Sequence, residues 1–182
     1  MKEVVIHARA GQGAITTASI LAQALFSEGK YAYAFPHFGA ARMGAPMNAF
    51  LRFDDKPIRV RCRIYEPDYV IVVDPTLLKT TDVMKGLKED GIVICDEREG
   101  IEYPKPQGNQ KVLIVPASKI AMEVMKRALG NTALLGAFVG ATGVVKFTSL
   151  EEAIKKRFSE KVAQANIECA RRGYEFVTGR EV

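Results

Sequence analysis

A continuous apolar run near the N-terminus (Val4, Val5, Ile6) breaks at Arg9-Ala10-Gly11-Gln12-Gly13, and helical periodicity follows from Ala14. Residues 2–8 therefore read as a buried strand and residues 14–28 as a helix closed by Gly29, the residue type that best tolerates the left-handed turn beyond a helix end. Strand, glycine turn and helix in this order restrict the chain to an α/β arrangement. Glycine lets the main chain approach a ligand, and the unpaired N–H groups of a first helical turn attract negative charge. A phosphate or carboxylate is the expected guest; the alternative is a tight turn that only packs helix against strand. A dinucleotide is disfavoured. Thr16 stands where the third glycine of G-x-G-x-x-G would be, and no acidic residue ends the second strand to bind a ribose.

The remaining pattern extends the α/β reading. Residues 31–35 form a second strand ending at Pro36, and a glycine-rich loop leads to residues 47–53, the turn Asp54-Asp55-Lys56-Pro57 and residues 58–64. The last two runs are expected to pair as a β-hairpin. Residues 69–73, 91–95 and 112–115 are apolar throughout, as in parallel strands covered on both faces. Asp74 and Asp96 follow the first two, which places the crevice of the sheet at their carboxyl ends. In the C-terminal third, Asn131 or Thr132 is positioned to cap a helix whose Ala133, Gly136, Ala137 and Gly140 form one stripe. Glycine inside a helix costs about 1 kcal/mol relative to alanine, so another backbone should approach that stripe closely. Ser149-Leu150-Glu151-Glu152 has the form of a capping box, and the final helix is expected to stop at Gly173. The fold class is α/β: an open, mostly parallel Rossmann-like sheet with an added β-hairpin and a helical C-terminal third, in a single domain over residues 1–182.

At 182 residues the chain buries a core without disulfide or metal staples. Its three cysteines, Cys62, Cys95 and Cys169, lie far apart and leave an odd one however they pair, which points to a reduced compartment. No leader pattern or membrane-length apolar run is evident, so a cytoplasmic location is expected. The net charge of +5 fits an anionic partner or plain solvation. Arg59, Arg61 and Arg63 alternate with Val60 and Cys62, so a strand there would carry three guanidinium groups on one face. Such a face suits phosphates or an acidic neighbouring chain, or is simply solvated. Nucleic acid is disfavoured, because no aromatic platform or DNA- or RNA-binding signature accompanies the arginines. The two histidines, His7 and His37, have no second ligand at metal spacing and read as packing residues. Walker A, G-x-S-x-G and iron–sulfur cysteine patterns are all missing from the sequence. No catalytic or metal-ligating residue is therefore assigned.

Three separated segments resemble one family: His7 to Ala14, Ala34 to Pro46 with its Arg42-Met43-Gly44-Ala45-Pro46, and Asn131-Thr132-Ala133-Leu134-Leu135-Gly136-Ala137. It is the gamma subunit of pyruvate (2-oxoacid):ferredoxin oxidoreductase, also called pyruvate synthase. The likeness extends to Arg171-Arg172-Gly173-Tyr174-Glu175, and Met43 departs from the small or polar residue usual at its position. The resemblance implies a share in oxidative decarboxylation, in which a 2-oxoacid and coenzyme A give acyl-CoA, carbon dioxide and reduced ferredoxin. Thiamine diphosphate and iron–sulfur clusters would sit on partner subunits of a hetero-oligomer, with ferredoxin as acceptor and the isolated chain inactive. The gamma domain of the family is associated with coenzyme A, which implies Gly11, Gln12, Gly13 and Arg42 as the residues holding its phosphates. Two alternatives stay open: a bracing subunit without cofactor contact, and 2-oxoglutarate or branched-chain specificity in place of pyruvate.

Overall fold

A computed structural model describes residues 1–38 and 42–179; Gly39, Ala40 and Ala41 of the resemblance motif lie outside the described residues. The elements in order are β1 (Lys2–Arg9), α1 (Ala14–Ser27), β2 (Tyr31–Phe38), β3 (Pro46–Asp54), β4 (Tyr69–Val72), a 3₁₀ turn (Pro75–Lys79), β5 (Ile92–Asp96), β6 (Lys111–Val115), α2 (Ala117–Met125), α3 (Asn131–Thr142), α4 (Phe147–Arg157) and α5 (Glu160–Thr178). The six-stranded sheet has the order β2-β3-β1-β4-β5-β6. Strands β1, β4, β5 and β6 run parallel, whereas β3 is antiparallel to both its neighbours. The expected open, mostly parallel α/β sheet with a helical C-terminal third is what forms.

The hairpin is present, but its members differ from those expected. β3 pairs with β2, from Tyr31↔Asp54 to Phe38↔Met47, while its other edge is taken by β1. No edge of β3 remains for residues 58–64, which therefore form no strand despite their alternation. Strand β2 runs through Pro36 rather than ending there, because a proline that cannot donate to a ladder is tolerated on an edge strand.

Alternate strand residues divide between two cores. Val4, Ile6, Leu51, Ile71 and Ile94 face the helices. Val5, Phe50, Val70, Val72 and Val93 face the opposite side, where they meet Ile64, Val83 and Leu87 from irregular connections. On the helical side, α3 and α5 pack backbone to backbone. A side chain at Gly136 would strike the Ala170 carbonyl, and one at Gly173 would strike the Ala133 carbonyl. The small stripe thus meets another backbone as expected. Helix α5 continues through Gly173 to Thr178 rather than stopping, because that glycine serves the close approach and the left-handed cap falls at Gly179.

Two capping expectations also resolve differently. The N-cap of α3 is Gly130, and no side chain caps the helix. Helix α4 begins at Phe147, ahead of the Ser149 box. The acceptor there is Glu28, from the end of α1, which takes the Lys146 N–H at 2.8 Å and the Ser149 hydroxyl at 2.6 Å. Its negative charge suits a helix N-terminus, and Glu152 pairs with Lys155 instead.

Candidate anion site at the first glycine turn

At the end of β1 the chain turns through Gly11 (φ +97°) and Gly13 (φ +79°), backbone conformations that side-chain-bearing residues rarely adopt. The Gln12 side chain is drawn into bracing this turn. Its Oε1 accepts from the Arg9 N–H at 2.7 Å and its Nε2 donates to Asp74 at 2.7 Å, while its own N–H bonds the Arg9 carbonyl at 3.0 Å. From the far side, Asn131 Nδ2 donates to the Gln12 carbonyl and to Thr17 Oγ1, both at 2.9 Å. Helix α1 begins at Ala14 with no side-chain cap and no acidic residue in its first turn. Among the described residues no acceptor meets its leading N–H groups, which lie at the positive end of the helix.

The Arg42 segment sits directly on this turn. Arg42 to Ala45 form a β-turn closed by the Ala45 N–H to the Arg42 carbonyl at 3.2 Å, with Gly44 supplying the positive φ of +77°. Gly44 N–H donates to the Ala10 carbonyl at 3.0 Å and Ala10 N–H to the Ala45 carbonyl at 2.9 Å. The Met43 sulfur lies 2.5 Å from where a Gly11 side chain would begin. Gly11, Gln12, Gly13 and the Arg42 turn thus converge, with the Arg42 side chain exposed to solvent.

Arg9 was given no separate role in the sequence, although its place as the last residue before the turn is the signal that marks it. It donates to the Gly44 carbonyl at 3.2 Å and to Thr76 at 3.1 Å, and its Nε lies 3.3 Å from Asp74. Asp74 is buried, which by itself raises a carboxyl pKa. Hydrogen bonds from Thr76 and Gln12 and the nearby Arg98 outweigh burial and hold it below the ordinary carboxylate value. The net result is a fixed anion that anchors Gln12, Arg9 and the 3₁₀ turn together. Asp96 differs: burial pushes its pKa up, and it accepts from the Ser118 N–H at 2.9 Å and from the Ser118 hydroxyl at the start of α2.

The crevice expected at the carboxyl ends of the strands is therefore narrow. The space between Asp74, Asp96, Ser118 and Asn131 is about 80 Å³. A roomier cleft of about 280 Å³ opens on the α1 side of the turn, where Gly11 to Gly13 and Thr16 adjoin Ile20, Leu135, Phe158 and Val162. It offers open N–H donors at one end and an apolar wall at the other. An open groove of about 1140 Å³ on the opposite face of the sheet, between Val83 and Tyr103, contains none of the candidate residues.

The two histidines and the two buried cysteines have packing roles. His7 is buried against Asn48, and burial lowers its pKa to about 4; His37 stacks on Phe50 with ring centroids 6.0 Å apart. Burial raises the Cys95 and Cys169 thiols to about 12 and about 11. Among the described residues, no group of three or more histidine, cysteine or acidic residues is arranged to hold a metal, and no helix is long and apolar enough to cross a membrane.

Together these features define an α/β module whose first glycine turn opens onto an uncapped helix start. The sequence profile of the pyruvate ferredoxin/flavodoxin oxidoreductase family matches residues 3–176. The chain belongs to that family, as the gamma-type subunit of a 2-oxoacid:ferredoxin oxidoreductase complex. It is 50% identical over 178 residues to the common gamma subunit of the pyruvate/ketoisovalerate oxidoreductases of Pyrococcus furiosus, covering 96% of each chain. It is 46% identical over 175 residues to the pyruvate synthase subunit PorC of Methanothermobacter thermautotrophicus, covering 96% of this chain and 95% of that one. The crystal structure of the pyruvate oxidoreductase subunit PORC from Thermotoga maritima superposes with a TM-score of 0.83 at 41% identity, covering 96% of this chain and 95% of that one.

Proposed function

We propose that this chain helps bind coenzyme A within a pyruvate-type 2-oxoacid:ferredoxin oxidoreductase, and that Gly11, Gly13 and Arg42 receive its phosphates. The observation that carries the reading is the uncapped start of α1 on a positive-φ glycine turn, with Met43, Gly44 and Ala45 packed against it beside the exposed Arg42 and a half-apolar cleft alongside. Coenzyme A combines phosphate groups with a less polar chain, which suits donors at one end of a cleft and Ile20, Phe158 and Val162 at the other. Gln12 contributes through the shape of the turn, since its amide is already engaged. Bond-breaking chemistry belongs to the thiamine- and cluster-bearing subunits, with ferredoxin as acceptor, and catalysis here is positional. The relatives named for both pyruvate and ketoisovalerate support the view that the oxoacid is selected on another subunit.

Calorimetry of the assembled complex with coenzyme A tests this reading. A hydrogen bond to a charged group contributes about 1.5–3 kcal/mol, so Arg42→Ala should weaken binding roughly tenfold or more. Gly13→Glu, which places a carboxylate at the helix start, should weaken it further. Native affinity in both variants would leave the chain as a bracing subunit without cofactor contact.

A further inference from the structure

Residues 57–64 pair with no strand, yet a buried arginine holds them in place. Arg52, on the face of β3 away from the helices, is only 1% exposed. It contacts Glu3 at 2.7 Å and donates to the Cys62 carbonyl at 2.7 Å and the Arg63 carbonyl at 3.2 Å. Arg61 lies over the Tyr33 ring, 4.0 Å from its centroid, and Ile64 is buried in the second core. Burying a guanidinium is costly unless its charge is paired and its donors are satisfied, and here Glu3 supplies the charge while two carbonyls of this one segment take the remaining donors.

What the anchored segment presents outward is a row of cations. Arg59, Arg61 and Arg63 are all exposed, interleaved with exposed Val60 and Cys62 and followed by Tyr65, which is 70% exposed. None of the three arginines is paired with a carboxylate among the described residues. The strip is also far from the glycine turn. Arg52 stands opposite Glu3 at the start of β1, and the run from Glu3 to Arg9 spans about 20 Å at the rise of an extended strand.

We propose that residues 59–65 are a docking strip for an acidic surface on a neighbouring subunit of the oxidoreductase complex. Charge complementarity selects the occupant: unpaired guanidinium groups bind carboxylates in forked, charge-assisted pairs. Arginine and tyrosine around a small apolar patch make the composition of a protein interface rather than of a nucleic-acid groove. Arg52 fixes the Cys62 and Arg63 carbonyls and the Tyr33 ring underlies Arg61, so the backbone around Arg61 and Arg63 is set before contact. The proposal rests on membership of a multi-subunit complex and is independent of the coenzyme A reading.

The test uses the co-expressed complex. With Arg61→Lys, which keeps the charge and supplies an amine, carbodiimide treatment should join position 61 to an aspartate or glutamate of another subunit, located by mass spectrometry. Bonds to carboxylates of this chain alone, or none, overturn the proposal. Separately, Arg59→Glu/Arg63→Glu, which spares the Arg61–Tyr33 contact, should leave the melting temperature of the chain unchanged and weaken its association with the other subunits roughly tenfold or more. Unchanged association overturns the proposal, and so does the loss of co-purifying nucleic acid with assembly intact.

Discussion

Asn131, at the start of α3, donates its side-chain amide to the carbonyl of Gln12, 119 residues earlier, at 2.9 Å. The same amide reaches Thr17 Oγ1, so one side chain fixes both the glycine turn and the first turn of α1. Helix α3 is in turn seated on α5 through Gly136 and Gly173. The shape of the glycine turn at the N-terminus therefore depends on packing between two C-terminal helices. Asn131→Ala should cost about 1 kcal/mol of stability by removing these bonds. Asn131→Asp should cost more coenzyme A affinity than Asn131→Ala, because it sets a carboxylate beside the open N–H groups. Urea denaturation and calorimetry on the same pair of variants separate the two effects.

Gly136→Ala should destabilise by about 1–3 kcal/mol, since the added methyl meets the rigid Ala170 carbonyl and the helices must move apart. Gly140→Ala is the control. There the methyl meets the side chains of Val177, Thr178 and Tyr174, and improved helix propensity of about 1 kcal/mol offsets the crowding. Denaturation midpoints should fall for the first substitution and stay nearly level for the second.

Stability should decline in mild acid because of His7. Its folded-state pKa of about 4 lies below the ordinary 6.5, so the unfolded chain takes up the proton first. The contribution is complete above pH 6.5 and is lost progressively as the pH falls through 4, a span equivalent to about 3 kcal/mol. His7→Gln should flatten the unfolding free energy across this window. An unaltered pH profile in that variant would assign the acid sensitivity to other groups.

Glu28 supplies the acceptor for the start of α4 from outside that helix. Glu28→Ala should cost about 1 kcal/mol, the usual value of an N-terminal cap, whereas Glu28→Gln keeps an acceptor and should cost less. Amide exchange at residues 147–150 should accelerate in the alanine variant, with little change in α5.

Local patterns were legible in the sequence, and long-range partners were not. The apolar Val70-Ile71-Val72 run showed a strand buried on both faces, and Ala133-Gly136-Ala137 showed a close helix contact. Arg59 to Arg63 alternated like a strand but found none to join, because both edges of β3 are filled by β1 and β2. Gly173 looked like a helix end because a glycine that ends a helix and one that admits a carbonyl are the same letter. The glycine turn was readable since its donors are consecutive. The braces from Asp74, Arg9 and Asn131 come from distant segments, and no spacing rule announces them.

The central claim is that the first turn of α1 and the Arg42 turn receive coenzyme A phosphate. Rapid-quench hydrogen exchange on the assembled complex, with and without saturating coenzyme A, observes those amides directly. Slower exchange confined to residues 11–16 and 42–45 is the predicted result; coenzyme A bound to the complex with exchange there unchanged would contradict the account.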